Sequence, residues 1–218
     1  MLLKKIFVIF LLAFSFCVPV SAEIVENSKI AIMDLGTHEG AVPFDINIFN
    51  AGKAASEYLI QHLVQYGKFN VMDRTLVEAQ IKEANLNTTG IIDPDTAKKI
   101  GEILGVDYLV YGNVNDVTLS ETGASTAGVG IDISTVTVKS HIIVRVMEIE
   151  TGKIISMAKG EGKSKGSFVR LKGGPIAELA IGRTKVTQDS VHNALQQASF
   201  QTVDILIKKL YGNKKYDK

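Results

Sequence analysis

The sequence predicts an α/β (α+β) domain in which helices flank a mixed sheet, with two β-hairpin insertions. Short apolar runs alternate with helical apolar spacing between Lys29 and Val114. From Val114 to Ile155 the helical spacing disappears, a second candidate insertion runs to Thr187, and a long helical pattern then follows. A chain of 218 residues with 46% hydrophobic residues can bury one good core, so we expect one domain that carries insertions.

Residues 1–22 have the pattern of an export signal. Lys4 and Lys5 precede an apolar run of about 13 residues, and Val20-Ser21-Ala22 supplies small residues at the positions that signal peptidase reads. The run is shorter than the roughly 20 residues of a membrane-spanning helix. We therefore expect cleavage and export.

The charge and the cysteine content narrow the possible functions. Removal of the signal takes away two positive charges, so the formal net charge falls from +1 to −1. A nearly neutral chain without a basic and aromatic stripe argues against a nucleic-acid partner. The single cysteine, Cys17, lies inside the signal, so the mature chain can form neither a disulfide nor a thiolate metal site.

The first part of the mature chain has the order β-α-β-α-α-β. A strand at Lys29 to Leu35 leads into a loop rich in Gly, Pro and Asn, and a helix runs from about Ala51 to Tyr66, where Gly67 stops it. Further strands are expected at Phe69 to Asp73 and at Asp107 to Val114.

Two short helices connect these last two strands. Thr75 and Glu78 have the spacing of a capping box, which predicts that the first helix begins at Thr75. Asp93 and Pro94 cap and start the second helix, and Gly105 follows its last apolar position, where a left-handed residue can close it.

The first candidate hairpin lies on both sides of a turn at Glu121 to Gly130. Apolar and polar residues alternate in its second strand, but the apolar phase switches near Thr135, between Ile133 and Val136. Such a switch indicates either a bulge or a long strand whose two halves meet different environments. A strand that leaves a soluble domain and enters a membrane barrel would have this pattern.

The second candidate hairpin occupies residues 155–187, with a turn at Gly173-Gly174-Pro175. One face of its first strand is charged, and the other consists mostly of small residues: Ala158, Gly160, Gly162, Ser164 and Gly166. Both insertions exceed the roughly 9 to 11 residues of a membrane β-strand. A face of small residues suits an exposed hairpin equally well, because its burial gains little at about 25 cal/mol per Å².

These patterns divide the chain into four parts. They are the signal at 1–22, the first part of the α/β domain at 23–113, the extended strands at 114–187 and a C-terminal helix at 188–218, which begins near Thr187 and completes the domain.

Three segments carry a resemblance to a known family. They are MDRTLVEAQIKE at residues 72–83, DPDTAKKIGEILGVDYLVYGNV at 93–114 and RVMEIETGKII at 145–155. In this order they resemble the curli secretion channel family, the CsgG/HfaB-like assembly and transport components of bacterial outer membranes. The similarity covers most of the chain after residue 28.

The resemblance implies a periplasmic α/β domain and a homo-oligomeric ring in the outer membrane. Each subunit of the family contributes two hairpins to one large barrel, through which secreted fibre or adhesin subunits pass. This agrees with the physics of an isolated hairpin in lipid, whose unpaired edge groups are satisfied only in a closed barrel. The resemblance implies neither a cofactor nor a nucleotide.

The loop from Gly40 to Asn50 corresponds to the loop that narrows the channel in this family. Phe44, Asn47 and Phe49 offer the aromatic and amide side chains that the resemblance implies there. The family's tyrosine is missing from the loop. Phe44 and Phe49 would equally explain a loop that is stapled to the domain.

The resemblance also raises the question of a membrane anchor, because many family members are lipoproteins. Their lipid is attached to a cysteine that follows a small residue, whereas Cys17 follows the bulky Phe16. How the chain is held at the membrane is therefore left open.

The sequence predicts no enzyme, no cofactor site and no metal site. The four histidines, His38, His62, His141 and His192, are scattered, and none has a second ligand at a metal-binding spacing. Gly162-Lys163-Ser164 resembles the end of a phosphate-binding loop but lacks its first glycine.

Two functions therefore remain. The first is a subunit of an oligomeric outer-membrane channel that exports curli-like or adhesin-like subunits. The alternative is a soluble periplasmic accessory protein, such as an activator of a cell-wall enzyme, that uses the same domain for docking.

Overall fold

The computed structural model describes residues 27–37, 51–86, 92–125, 130–172 and 178–211. In chain order the elements are β1 (Lys29–Ile32), β2 (Gly36–Thr37), α1 (Ala51–Tyr66), β3 (Asn70–Val71), α2 (Arg74–Glu83), α3 (Pro94–Leu104), β4 (Tyr108–Ser125), β5 (Ile131–Glu148), β6 (Lys153–Lys172), β7 (Glu178–Ile181) and α4 (Arg183–Tyr211).

All the described strands belong to one mixed sheet with the order β3-β1-β4-β5-β6-β7, and β2 pairs with β4 beyond the end of β1. The pairs that β4 makes with β1 and β2, and β1 with β3, are parallel, whereas β4 to β7 form antiparallel pairs. The predicted α/β fold with a mixed sheet flanked by helices is thus confirmed.

Helices cover both faces of the sheet. We call the face under α1 and α4 the inner face and the opposite one the outer face. The inner core contains Ile30, Ile32, Val110, Val114, Val136, Val138, Ile142, Val144, Leu59, Leu63, Leu195, Val203 and Leu206. The outer core, under α2 and α3, contains Ala31, Met33, Leu109, Tyr111, Met147, Val77, Ile81, Ala97, Ile100 and Leu104.

The two short helices are each capped by an aspartate, and the predicted start of α2 needs a correction. Asp73, not Thr75, is the N-cap residue, and its Oδ1 accepts from the backbone N–H of Thr75 at 2.8 Å. The predicted capping box is wrong because Glu78 pairs with Arg74 Nε at 2.9 Å and does not reach back to the cap. The carboxylate two residues before Thr75 supplies the acceptor, and the helix begins at Arg74.

The second short helix agrees with its prediction. Asp93 Oδ1 accepts from the backbone N–H groups of Asp95 and Thr96, each at 3.0 Å. Pro94 occupies the first turn, and Gly105 closes the helix with φ of 60°.

At the phase switch near Thr135 the apolar residues move from one face of β5 to the other, while the backbone of the strand stays regular. β5 pairs with β4 in continuous register from Asp132 to His141, and the β4 bulge lies between Val114 and Asp116. A bulge near Thr135 is therefore excluded. The alternation of buried and exposed positions also continues through the switch, so the apolar side chains change face while the strand does not. This leaves the second explanation, two halves of one strand in different environments.

The long C-terminal helix begins earlier than expected. It starts at Arg183, directly after Gly182 with φ of 80°, and not near Thr187. Among the described helices, none combines the length and the apolar character that a membrane crossing requires.

Candidate functional site

The distal parts of β4, β5 and β6 form the region in which the sequence placed its two hairpins. We call this region, residues 116–125, 131–143 and 159–171, the extended half of the sheet. Its inner face is covered by α4, and its outer face lies outside the area that α2 and α3 cover. The segments between β4 and β5 and between β6 and β7 include residues 126–129 and 173–177, which lie outside the described residues.

The small residues of β6 form the surface against which α4 packs. A Cβ atom at Gly162 would lie 1.8 Å from the carbonyl oxygen of Ala194, and one at Gly160 would lie 2.0 Å from that of Ala198. Only glycine permits the helix backbone to approach this closely. The face of small residues, expected to meet lipid or solvent, is therefore packed against the chain's own helix in this structure.

Side chains of α4 also reach the free edge of β6. Gln197 Oε1 accepts from the backbone N–H of Lys163 at 3.2 Å, and Gln201 Oε1 accepts from the backbone N–H of Glu161. Both N–H groups belong to an edge that no described strand pairs, since β7 covers β6 only from Val169 onwards. The two glutamines, one helical turn apart, thus satisfy donors that an added strand would otherwise use.

A group of charged residues closes the distal end of the inner core. Glu121 pairs with Arg170, and its Oε2 lies 3.3 Å from Arg183 Nε. The Arg170 guanidinium lies 5.7 Å from the centre of the Phe168 ring. The first turn of α4 is thereby tied to β4 and β6.

A polar row crosses the outer face of the extended half. His141 Nδ1 lies 2.5 Å from Asp116 Oδ1, and its Nε2 lies 3.6 Å from Glu161 Oε1. The hydrogen bond and the charge of Lys159, followed by the charge of His141, lower the pKa of Glu161. The sequence could not place these residues together, because strand register is needed to do so.

A second attachment holds α4 to α1. His62 Nε2 lies 3.1 Å from Asp204 Oδ1, and the His62 ring stacks on Phe200 with centroids 4.5 Å apart. Ser199 Oγ donates to the backbone carbonyl of Ala55 at 3.1 Å. The C-terminal half of α4 therefore packs against α1 as well as against the sheet.

A half-open cavity of about 230 Å³ lies at the end of β1 next to α2. Its lining is partly apolar and partly charged: Ile32, Met33, Asp34, Arg74, Val77, Glu78, Ile81, Lys82 and Leu86. Burial opposes the charge of Arg74, but the hydrogen bond with Glu57 and the charges of Asp34, Glu57 and Glu78 outweigh it and raise its pKa. Arg74 thus links the segment that follows β1 to α1 and α2 at the rim of the cavity.

The predicted channel-constriction residues Phe44, Asn47 and Phe49 lie outside the described residues, as do the signal, Cys17 and His38. In sequence the three constriction residues lie between β2, which ends at Thr37, and α1, which begins at Ala51. His62, His141 and His192 lie at separate places. Within the described ranges, no three or more His, Cys, Asp or Glu side chains are grouped so that they could hold a metal ion.

Comparison with known protein families gives a match over nearly the whole chain. The family described as "Curli production assembly/transport component CsgG" matches residues 21–217. No curated protein sequence matches the chain significantly.

Solved structures with a similar fold are distant in sequence. The C-terminal domain of LpoB from Escherichia coli is 16% identical, with 63% of this chain and 84% of that chain covered and a TM-score of 0.43. A neuraminyllactose-binding hemagglutinin homolog from Helicobacter pylori is 11% identical, with 92% and 94% covered and a TM-score of 0.45. PelC from Paraburkholderia phytofirmans, a dodecamer, is 10% identical, with 87% and 92% covered and a TM-score of 0.40.

Proposed function

Because the chain belongs to the CsgG family of curli production assembly and transport components, we propose that it is a subunit of an oligomeric outer-membrane channel that exports curli-like or adhesin-like subunits. Family membership itself indicates a role in curli-related transport and secretion. It also implies an exported protein of the periplasm or outer membrane. The channel, the ring and the exported substrate are our proposal.

The observation that carries the proposal is the length of three adjacent strands. β4 and β5 each have 18 residues and β6 has 20, whereas β1 and β3 have 4 and 2. A membrane β-strand needs only about 9 to 11 residues. The extended half is therefore long enough to leave the α/β domain and cross a bilayer.

The free edge of β6 supports an assembly of several subunits. In the monomer this edge is satisfied in part by Gln197 and Gln201 from α4. In lipid, every backbone donor and acceptor must be paired, which an isolated sheet cannot achieve. A ring of subunits, each adding its strands to the next, would close the sheet and leave no edge.

Spanning would require α4 to leave the extended half. The apolar side chains of β5 in this region, among them Val136, Val138 and Ile142, are fully buried on the inner face. A lipid-facing surface must expose such residues, so the described arrangement would be the state before insertion. The attachment of α4 to α1 through Ser199 and His62 offers a fixed point about which the first half of the helix could move.

The proposal also includes the loop of residues 40–50. Phe44, Asn47 and Phe49 would line the narrowest part of the channel if the family pattern holds for this chain.

Cell fractionation followed by sizing tests the proposed function. Membranes are separated, extracted with mild detergent, and the particle is sized by light scattering with and without heating. We expect the chain in the outer membrane as a heat-dissociable ring. A monomer in the soluble periplasmic fraction would contradict the proposal and favour the accessory-protein alternative, which no feature of the described ranges favours.

A further inference from the structure

The outer face of the extended half ends in an exposed apolar band. Ile133, Val169 and Ile181 are direct register partners on β5, β6 and β7, so their side chains lie side by side. They are 59%, 41% and 54% exposed. Ile131, in the next row towards the hairpin ends, is 44% exposed and lies opposite Leu171.

A band of lysines lies on the same face, closer to the domain. Lys139 and Lys163 are register partners, and Lys165 lies one row further out, opposite Thr137. All three lysines are exposed. The row between the two bands contains the neutral pair Thr135 and Ser167.

The nearby acidic side chains already have partners. In the row next to Lys139 and Lys163, on the side of the α/β domain, Asp116 pairs with His141, while Glu161 pairs with His141 and Lys159. On β4, the positions opposite the lysine rows are Thr118 and Ser120, which are neutral. The lysine band therefore has a positive charge that its own strands do not compensate.

We propose that this face binds the surface of an anionic lipid bilayer. The apolar band would enter the boundary between head groups and acyl chains, and Lys139, Lys163 and Lys165 would contact lipid phosphates. Four residues separate Ile133 from Thr137, or about 13 Å along the strand at roughly 3.3 Å per residue. The lysine side chains can span part of this distance, so both bands can meet one membrane surface.

The apolar band distinguishes a bilayer from an acidic peptide as the partner. An acidic peptide would satisfy the lysines but leave four large apolar side chains in water. A bilayer takes both, because interfacial binding combines buried apolar area with attraction to anionic head groups. This binding requires neither a ring nor a channel, so it would stand if the proposed function failed.

Vesicle flotation tests this inference. The chain is expressed with Cys17→Ser, which prevents attachment of a lipid, and is purified after export. It is mixed with vesicles of phosphatidylglycerol and phosphatidylethanolamine, or with vesicles of phosphatidylcholine alone. We expect co-flotation with the anionic vesicles, weaker with phosphatidylcholine and reduced by salt. The triple variant Lys139→Gln, Lys163→Gln, Lys165→Gln should lose about two orders of magnitude in partitioning, at about 1 kcal/mol per lysine.

Two further variants test whether binding depends on these two bands and not on surface charge or apolarity in general. Ile133→Ser with Ile181→Ser should weaken binding to both kinds of vesicle. The matched control Lys29→Gln, Lys99→Gln, Lys208→Gln removes three exposed lysines elsewhere and should bind as the unmodified chain does. Circular dichroism checks that each variant is folded, and single lysine substitutions replace the triple variant if it is not.

Three results would overturn the inference. They are equal binding of the triple lysine variant and the control, equal binding to both vesicle types, and binding to soluble poly-glutamate with no binding to vesicles. The last result would identify an acidic polypeptide as the partner. Because flotation reports on membrane binding and not on assembly, its failure would leave the fractionation test of the proposed channel intact.

Discussion

Gly162 shows how a single side chain would alter the contact between α4 and the sheet. The helix backbone fills the space that a Cβ atom would need, and the neighbouring atom is the carbonyl oxygen of Ala194, which has no rotamer to change. Any side chain here must push the helix away from β6. The position of α4 is therefore set by residues that themselves bury almost no apolar surface.

Gly162→Ala is expected to lower the free energy of unfolding by about 1 to 3 kcal/mol, the usual cost of overpacking. Gly123→Ala is the matched control, because the nearest atom to its new Cβ is the Ser134 hydroxyl at 3.3 Å, and its effect should stay within about 0.5 kcal/mol. Urea unfolding measures both. Equal effects of the two substitutions would contradict the close helix contact.

Asp93 gives a prediction about pH. The hydrogen bond from the Thr96 hydroxyl, followed by that from its backbone N–H, lowers the pKa of Asp93. A group with a lowered folded-state pKa stabilises the protein fully above its unfolded pKa of 3.8, and this stability is lost as the pH falls through the folded-state value.

Asp93→Asn should therefore lower the urea midpoint at pH 7, with the difference from the unmodified chain shrinking below about pH 4. The asparagine keeps an acceptor for the cap but cannot ionise. Urea titrations at pH 7, 5, 3.5 and 2.5 measure the difference. Midpoints that stay separated by the same amount down to pH 2.5 would contradict an ionised cap.

The sequence predicted these local residues better than the distant ones. Asp93 and Gly105 were identified because a cap and its helix are neighbours in the chain. The start of α2 was misplaced by one residue, since Asp73 and Thr75 are both good capping residues and the sequence pattern favoured the wrong one. The pairing of Glu121 with Arg170 and Arg183 spans up to 62 residues, and no local pattern reveals it.

At the scale of elements, α4 has two separate effects on β6. It covers the inner face by packing against Gly160 and Gly162. Through Gln197 and Gln201 it accepts hydrogen bonds from the backbone N–H groups of the free edge. Lys209 Nζ adds a contact to the Met157 carbonyl oxygen at 2.6 Å, further along the same strand. The helix thus protects the strand that a neighbouring subunit would use.

Gln197→Leu with Gln201→Leu should expose the edge donors and raise self-association, because an unprotected edge is a template for strand pairing. The matched control is Gln188→Leu with Asn193→Leu, which puts two leucines at exposed positions of the same helix. Analytical ultracentrifugation across a concentration series measures the association. If both variants associate equally, exposed leucine and not the free edge is the cause.

The sequence predicted long strands in this region but not what covers them. Period-two alternation and the phase change near Thr135 were visible, and so was the stripe of small residues. Their explanation required α4, because a face that is poor in apolar atoms is ambiguous until its partner is known. The structure resolves the ambiguity by placing a helix backbone at contact distance.

At the scale of the whole molecule, the α/β domain keeps its described arrangement in the proposed function, whereas the extended half is the part that changes. Helices on both faces enclose the parallel strands and the base of the antiparallel ones. Beyond this base, α4 is the one described helix that covers the sheet, and the described part of the outer face is polar except at its apolar end. The fold class followed from the order of elements, while the proposed channel would depend on an arrangement of several subunits that one sequence does not specify.

A disulfide between α4 and β6 would hold the described arrangement in place. A Cβ atom at Gly166 would lie 2.9 Å from Ser190 Oγ and 2.4 Å from Val186 Cγ1. Once the Val186 side chain shifts, the two positions are close enough for a disulfide, whose Cβ atoms are about 3.8 Å apart. Gly166→Cys with Ser190→Cys, in a chain that also carries Cys17→Ser, should form this bond. The reduced form of the same chain is the control.

Conductance across a planar bilayer is the most direct test of the channel. The double-cysteine particle is collected before membrane insertion, because the bond can form only in the described arrangement, and is added to the bilayer oxidised or reduced. We predict stepwise conductance from the reduced particle and none from the oxidised one, because α4 must leave β6 before the strands can span. Absence of conductance from the reduced and the unmodified particles would contradict the channel, and equal conductance in both redox states would contradict the movement of α4.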